Sequence, residues 1–218
     1  MNEQLSYLMI GGGGHAAALA EILLKQGKKI VGVIAPEITA GHAIFNDIQH
    51  FENDGDIKRF DKLSVILVNG IGAMPKQNLR EKLYNYYRQQ GYKFATIVAD
   101  SAVVSDFATL AQGVQIMNNS VVNIGVSIDE NSIVNTSSVV DHDCIIGAHC
   151  HIAPGVTMSG QVVVKNNVHI ATGANVINNV LIEENVIVSV GASITKSVAN
   201  GSIVFGARSI TKGIKDEH

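Results

Sequence analysis

Two stretches of the chain group residue types as chemistry requires. The first is Asn135-Thr136-Ser137-Ser138-Val139-Val140-Asp141-His142-Asp143-Cys144, with His151 and Gly160 following. An imidazole titrates at about pH 6.5, and a neighbouring carboxylate fixes its tautomer and raises its basicity. His142, between Asp141 and Asp143, is therefore a candidate general base. The second stretch is Gly11-Gly12-Gly13-Gly14-His15. A glycine-rich loop that opens a helix offers main-chain N–H groups to phosphate oxygens. The chain must thus position a proton acceptor and a cradle for a diphosphate.

The elements available to position them change near residue 100. All five Tyr lie before that point, and Val, Ile, Asn, Ser, Gly and Ala dominate after it. Two domains are expected, residues 1–100 and 101–218. From Val104 to Ile194 an apolar residue recurs at every sixth position, sixteen times without a break. A small or β-branched residue stands four positions after each one. Six residues turn a helix by about 600°, so no single helical face could collect them. Short strands joined by tight corners can, and the Asn-Asn, Asn-Thr and Pro-Gly pairs between the apolar positions suit such corners. Each hexad is then one side and one corner, and three hexads make one coil. Gly160, three hexads after His142, shares its corner one coil later, about 5 Å away by the spacing of paired strands. An unobstructed Gly160 N–H is placed to meet a developing oxyanion beside the base.

The first half reads as strand, glycine loop, helix and strand: Leu5 to Ile10, the loop, Ala16 to Gln26, and Lys29 to Ile34. A second unit repeats the layout with a strand Ser64 to Val68, the loop Asn69-Gly70-Ile71-Gly72, a helix Pro75 to Gln90 and a strand Lys93 to Val98. The acidic residue that would grip a dinucleotide ribose is displaced to Glu37. About 100 residues are also too few for both halves of a full dinucleotide fold, so a nucleotide-sugar is favoured over NAD.

The hexad pattern resembles the left-handed β-helix of hexapeptide acyltransferases. The handedness is implied by that resemblance, because parallel crossovers are ordinarily right-handed. The resemblance also implies a homotrimer, with acyl-CoA in the groove between neighbouring helices and the active site at the subunit interface. With the GGGGH loop added, nearly the whole chain is similar to a narrower group, the bacterial UDP-4-amino-sugar N-acetyltransferases of glycan biosynthesis, relatives of sialic acid O-acetyltransferases. That likeness implies an α/β Rossmann-like domain with a small parallel sheet, followed by the β-helix and a C-terminal tail. It makes His142 the base, Asp143 its acidic partner where the group often has Glu, and Asn135 a contact near the reacting groups. It places the Gly160 amide on the acetyl oxygen, acetyl-CoA against His151, Gly160, Thr172 and Gly173, and the UDP-sugar against Gly11, Gly12, Gly13, Gly14, His15, Asn69 and Gly70. Ala35-Pro36 stands where the group often has an acidic pair. The implied reaction moves acetyl from acetyl-CoA to the 4-amino group of a UDP-linked 4-amino-4,6-dideoxy-N-acetylhexosamine. The alternatives are O-acetylation of a sialic-acid-like sugar and a non-catalytic nucleotide-binding trimer.

A formal net charge of -3 gives no basic footprint for nucleic acid. No apolar run reaches the roughly 20 residues that span a bilayer, and no leader is evident, so a cytoplasmic protein without membrane insertion is expected. Cys144 and Cys150 occupy inward small-residue positions and read as core filling. His149, His151 and His169 invite comparison with the zinc site of the β-helical carbonic anhydrases, but the spacing of His142, His149 and His151 does not match that family's widely separated histidines, and no metal is expected.

Overall fold

The structure is a computed structural model that describes residues 5–207. In the first domain the apolar strand β1 (Ser6–Ile10) lies between β2 (Ile30–Ile34) and β4 (Val65–Asn69), and β3 (His50–Phe51) extends the edge beyond β2. All pairings are parallel. Helix α1 (Gly14–Lys25) sets Leu19, Ala20 and Leu23 against Met9, Val33 and Val68. Helix α2 (Leu79–Gln89) sets Tyr84 and Tyr87 in the cluster of Leu8, Ile10 and Leu67. A parallel sheet covered on both faces is buried throughout, which is why its strands read as continuous apolar runs.

Helix α1 begins at Gly14 rather than Ala16 and β4 runs on to Asn69, and two boundaries differ further from the sequence reading. Helix α2 starts at Leu79 rather than Pro75, because Lys76 takes a left-handed φ of 63°, which a right-handed helix cannot include. The strand expected over Lys93 to Val98 divides in two. Phe94 bridges to Leu67 at the edge of the first sheet, whereas Ile97–Val98 pairs with Gln115–Ile116 and forms the first rung of the second domain. Ala95 and Ile97 pack with α1 and also with Met117 and Ile133, so one apolar cluster fastens the two domains.

The second domain is a parallel β-helix of very short strands arranged as three sheets. Each strand pairs with the one three hexads on, as in Ile133 with His151, Val139 with Thr157 and Ile145 with Val163. The second residue of each pair points inward: Val140, Ile146 and Ile152 are at most 1 % exposed. Burying such a side chain is worth about 1.5–3 kcal/mol, and the stack repeats that contribution at every level. The corners hold left-handed residues, among them Asn119, Asn131, Asn167, Asn179 and Asn185 at φ of 57–59°. Asn tolerates this conformation better than other side chains, which accounts for the asparagines between the hexads. Cys144 and Cys150 are buried, and burial pushes the Cys150 thiol up to about 12. Past Ile194 the register slips: Ile187–Val188 pairs with Ile203–Val204, just short of the Phe205-Gly206 that a full coil would bring there. The C-terminal tail from residue 208 lies outside the described residues. No described helix is long and apolar enough to cross a membrane.

Candidate active site

His142 stands at the corner between the sheet containing Val139–Val140 and the sheet containing Ile145–Ile146. Its Nδ1 is 2.9 Å from Asp143 Oδ2. A carboxylate can only accept, so the ring carries its proton on Nδ1 and presents the Nε2 lone pair. Asp141 Oδ1 accepts from the His142 main-chain N–H and from Asn123 Nδ2, each at 2.8 Å. The hydrogen bond to Asp143, assisted by the charges of Asp141 and Asp143, raises the imidazole above its ordinary pKa. The side chains of His142 and Asp143 are 51 % and 57 % exposed, so the base is open to an incoming substrate.

Two glycines make room for this pair. A Cβ on Gly160, one coil below, would lie 2.5 Å from His142 Nε2, so the ring lies directly over that residue. Gly160 N–H makes no hydrogen bond to the described chain and is a free donor beside the base. A Cβ on Gly125, one coil above, would collide with the Asp143 carboxylate. His142 and Asp143 thus occupy a slot between two glycines, steadied by Asn123. Neither Gly125 nor Asn123 is singled out in the sequence reading. Their signal was the register itself, since they stand three hexads before Asp143 and Asp141.

This arrangement gives an expected pH profile. A base must be deprotonated to act, so kcat/KM should rise with pH through a His142 pKa lying above about 6.5. Asp143→Asn removes the largest cause of the upward shift and should move that limb to lower pH while reducing the plateau. A limb that stays in place would dissociate Asp143 from the base.

A second group forms on the neighbouring sheet. Asn135 Nδ2 donates to His151 Nε2 at 3.0 Å, and His151 Nδ1 donates to Ala73 O at 3.0 Å. Burial, helped by His169, drives the His151 pKa down to about 3, so it is neutral and has both nitrogens engaged. Thr172 and Gly173 lie two coils beyond Thr136 and Ser137 at the same corner, and space is open above Gly173.

The glycine loop divides by role. A Cβ on Gly11 would meet Ile71 Cδ1 at 2.7 Å, and one on Gly12 would meet Glu37 O at 2.8 Å, so both allow close packing. Gly13 and Gly14 have no heavy atom nearer than 3.8 Å to such a Cβ. They stand at the start of α1, which no side chain caps, and its first N–H groups are available. His15 Nε2 donates to Gln115 Oε1 at 2.8 Å, and burial, helped by Arg80, lowers its pKa to about 4. Asn69 is buried, with Nδ2 donating to Arg80 O and Asn131 Oδ1, and a Cβ on Gly70 would lie 2.6 Å from that of Ala16. These two hold the loop in place. Ala35 O accepts from His50 Nε2, while Pro36 and Glu37 are exposed.

Neither a protein-family model nor a curated protein matches the chain. Solved structures do. The chain is similar to perosamine N-acetyltransferase (PerB) of Caulobacter crescentus in complex with CoA and GDP-perosamine: 29 % identity, 91 % of this chain and 92 % of that one, TM-score 0.81. It is also similar to the acetyltransferase domain of PglB from Neisseria gonorrhoeae: 26 % identity, 92 % and 96 % coverage, TM-score 0.83. The chain has the architecture of the hexapeptide sugar N-acetyltransferases. Its repeated short parallel strands fit the left-handed β-helix of those enzymes. A histidine-to-asparagine mutant of the perosamine N-acetyltransferase, also in complex with CoA and GDP-perosamine, aligns over 96 % of this chain at 27 % identity.

Against that N-acetyltransferase architecture, the groups in this chain fall in two places. The first domain covers the outer face of the sheet that carries Gln115, Ile133 and His151, where the glycine loop, His15 and Asn135 lie. The corner with His142, Asp143 and Gly160 is the one formed by the other two sheets, across the β-helix. Among the described residues no group of His, Cys, Asp and Glu is arranged to hold a metal ion.

Proposed function

We propose that the protein transfers acetyl from acetyl-CoA to the 4-amino group of a UDP-linked 4-amino-4,6-dideoxy-N-acetylhexosamine. The observation that carries this reading is the His142–Asp143 pair standing over the free N–H of Gly160. In the reaction the amine attacks the thioester carbonyl carbon. Nε2 of His142 takes the proton the amine sheds, and Asp143 balances the imidazolium on Nδ1. The carbonyl oxygen gathers negative charge next to Gly160 N–H. The C–S bond then breaks, and the proton passes to the departing CoA thiolate. The complexes of the perosamine enzyme with CoA and a nucleotide-sugar support the choice of both substrate classes. A thiol-release assay across UDP- and GDP-linked sugars, with and without a free amine, tests it, and turnover restricted to GDP-linked substrates or to substrates without a free amine would overturn it.

The open positions at Gly13 and Gly14 take the diphosphate in this reading, and acetyl-CoA lies along the corner of His142 and Gly160. Within one chain these places lie on opposite sides of the β-helix, so a second copy completes the site, in a homotrimer with three active sites. This makes a complementation test possible. Gly13→Val crowds the diphosphate and His142→Ala removes the base, so each variant alone should turn over at about a hundredth of the wild-type rate or less. Mixed in equal amounts through reversible dissociation, they should regain about a quarter of wild-type activity, the share of interfaces assembled from two intact halves. A mixture as inactive as its components would mean that both residues act from the same chain.

A further inference from the structure

The loop after β4 and the start of α2 lean on the β-helix and enclose a cavity of about 390 Å³. Of the residues set against substrates above, His151 alone lines it, with both ring nitrogens already engaged, and none of Gly11 to Gly14, Asn135, His142, Asp143 or Gly160 does. Arg80 does, and it is 5 % exposed. Its Nε donates to Asn131 O, and its Nη1 donates to Asn69 O and Ile71 O, but Nη2 has no partner. Burial lowers its pKa to about 9, which still leaves a cation at neutral pH, and no described carboxylate forms a salt bridge with it. A buried cation without a counter-charge is costly, and an anion relieves that cost.

Three further features of the same cavity favour an anion with a polar body. The start of α2, an 11-residue helix with no side-chain cap at Asn78, contributes to the wall, and its orphan N–H groups and dipole favour negative charge. Lys76 adds a second cation, against a single carboxylate, Glu81. Asn167 and Asn185, exposed on successive coils, form a column of uncharged hydrogen-bonding groups at one corner of the β-helix. The volume falls in the range of small-molecule sites, about 300–1,000 Å³, and exceeds what a bare ion fills.

We propose that this cavity binds a small organic phosphate, its phosphoryl group drawn by Arg80, Lys76 and the α2 N-terminus and its hydroxylated body set against the asparagine column. The phosphoryl group is that of a free metabolite and not of the enzyme's own nucleotide substrates, and the test separates these two sources. Calorimetry on the full chain with glucose 1-phosphate should show saturable binding that neither excess UDP nor excess CoA displaces, and inorganic phosphate should bind more weakly. Arg80→Lys would disturb three buried hydrogen bonds and risks the fold, so two surface changes carry the test. Lys76→Ala should weaken glucose 1-phosphate about fivefold and Glu81→Gln should tighten it about twofold, as expected for single charges at a partly open site. Displacement by UDP or CoA would assign the phosphoryl group to the substrates and overturn the proposal. So would the absence of saturable binding, equal affinity for inorganic phosphate, or indifference to both substitutions.

Discussion

His142→Ala should lower kcat by about 10² to 10⁴, the usual worth of a positioned acid–base group. That is a loss of about 3–5 kcal/mol of transition-state stabilisation. The side chain is half exposed and contacts the chain mainly through Asp143 and Gly160, so the melting temperature should not move. The acetyl-CoA constant should also change little, because the ring accepts a proton and does not hold the thioester. Steady-state kinetics and a thermal melt on the same preparation check both statements. Near-normal turnover would remove the imidazole from the reaction.

Gly160→Ala should be almost as damaging, for a steric reason. The new Cβ would lie 2.5 Å from Nε2 and 2.6 Å from Cε1 of His142. The ring can swing into solvent, so the protein should fold normally while the base is pushed away from the oxyanion donor. A fall in kcat of about 10² is expected, the magnitude seen when one such electrostatic contact is spoiled. Gly147→Ala supplies the contrast. Its Cβ would meet main-chain atoms, Lys165 C at 2.8 Å and Asn166 N at 2.9 Å, and these cannot swing aside. That change should cost about 1–3 kcal/mol of stability, as overpacking usually does, with little effect on kcat in the folded fraction. If Gly160→Ala lowered the melting temperature as much as Gly147→Ala while sparing kcat, the Gly160 position would be one of packing alone.

The β-helix was legible because its two constraints, an inward aliphatic and a small residue four positions on, share one period and reinforce each other. The same register places Gly160 under His142 from the spacing alone. Less legible were the ends of elements. Lys76 postpones the start of α2 through a backbone choice that no propensity forbids outright, and the stretch from Phe94 to Val98 is apolar enough to join either domain. The glycine loop illustrates another limit. Four identical residues split into two that pack and two that face open space, and only the surroundings, Ile71 and Glu37 on one side and Thr39 and His42 on the other, separate them. Asn69 looked like a loop donor yet commits its amide to Arg80 and Asn131, because a contact between domains leaves no local trace in the sequence.

The slot that holds His142 is assembled from three successive coils: Asn123 and Gly125, then Asp141 to Asp143, then Gly160. Its parts meet only because the chain returns to the same corner with every third hexad. The domain should therefore accept changes of length in quanta. Duplicating a whole coil beyond Val186 would lengthen the rod and leave the catalytic corner intact. Inserting a single hexad between His142 and Gly160 would preserve every inward aliphatic and every strand, yet rotate all that follows by a third of a turn. Such a protein would fold as a sound β-helix in which the base faces a different residue, so the count of residues between two corners is as much a part of this active site as the side chains themselves.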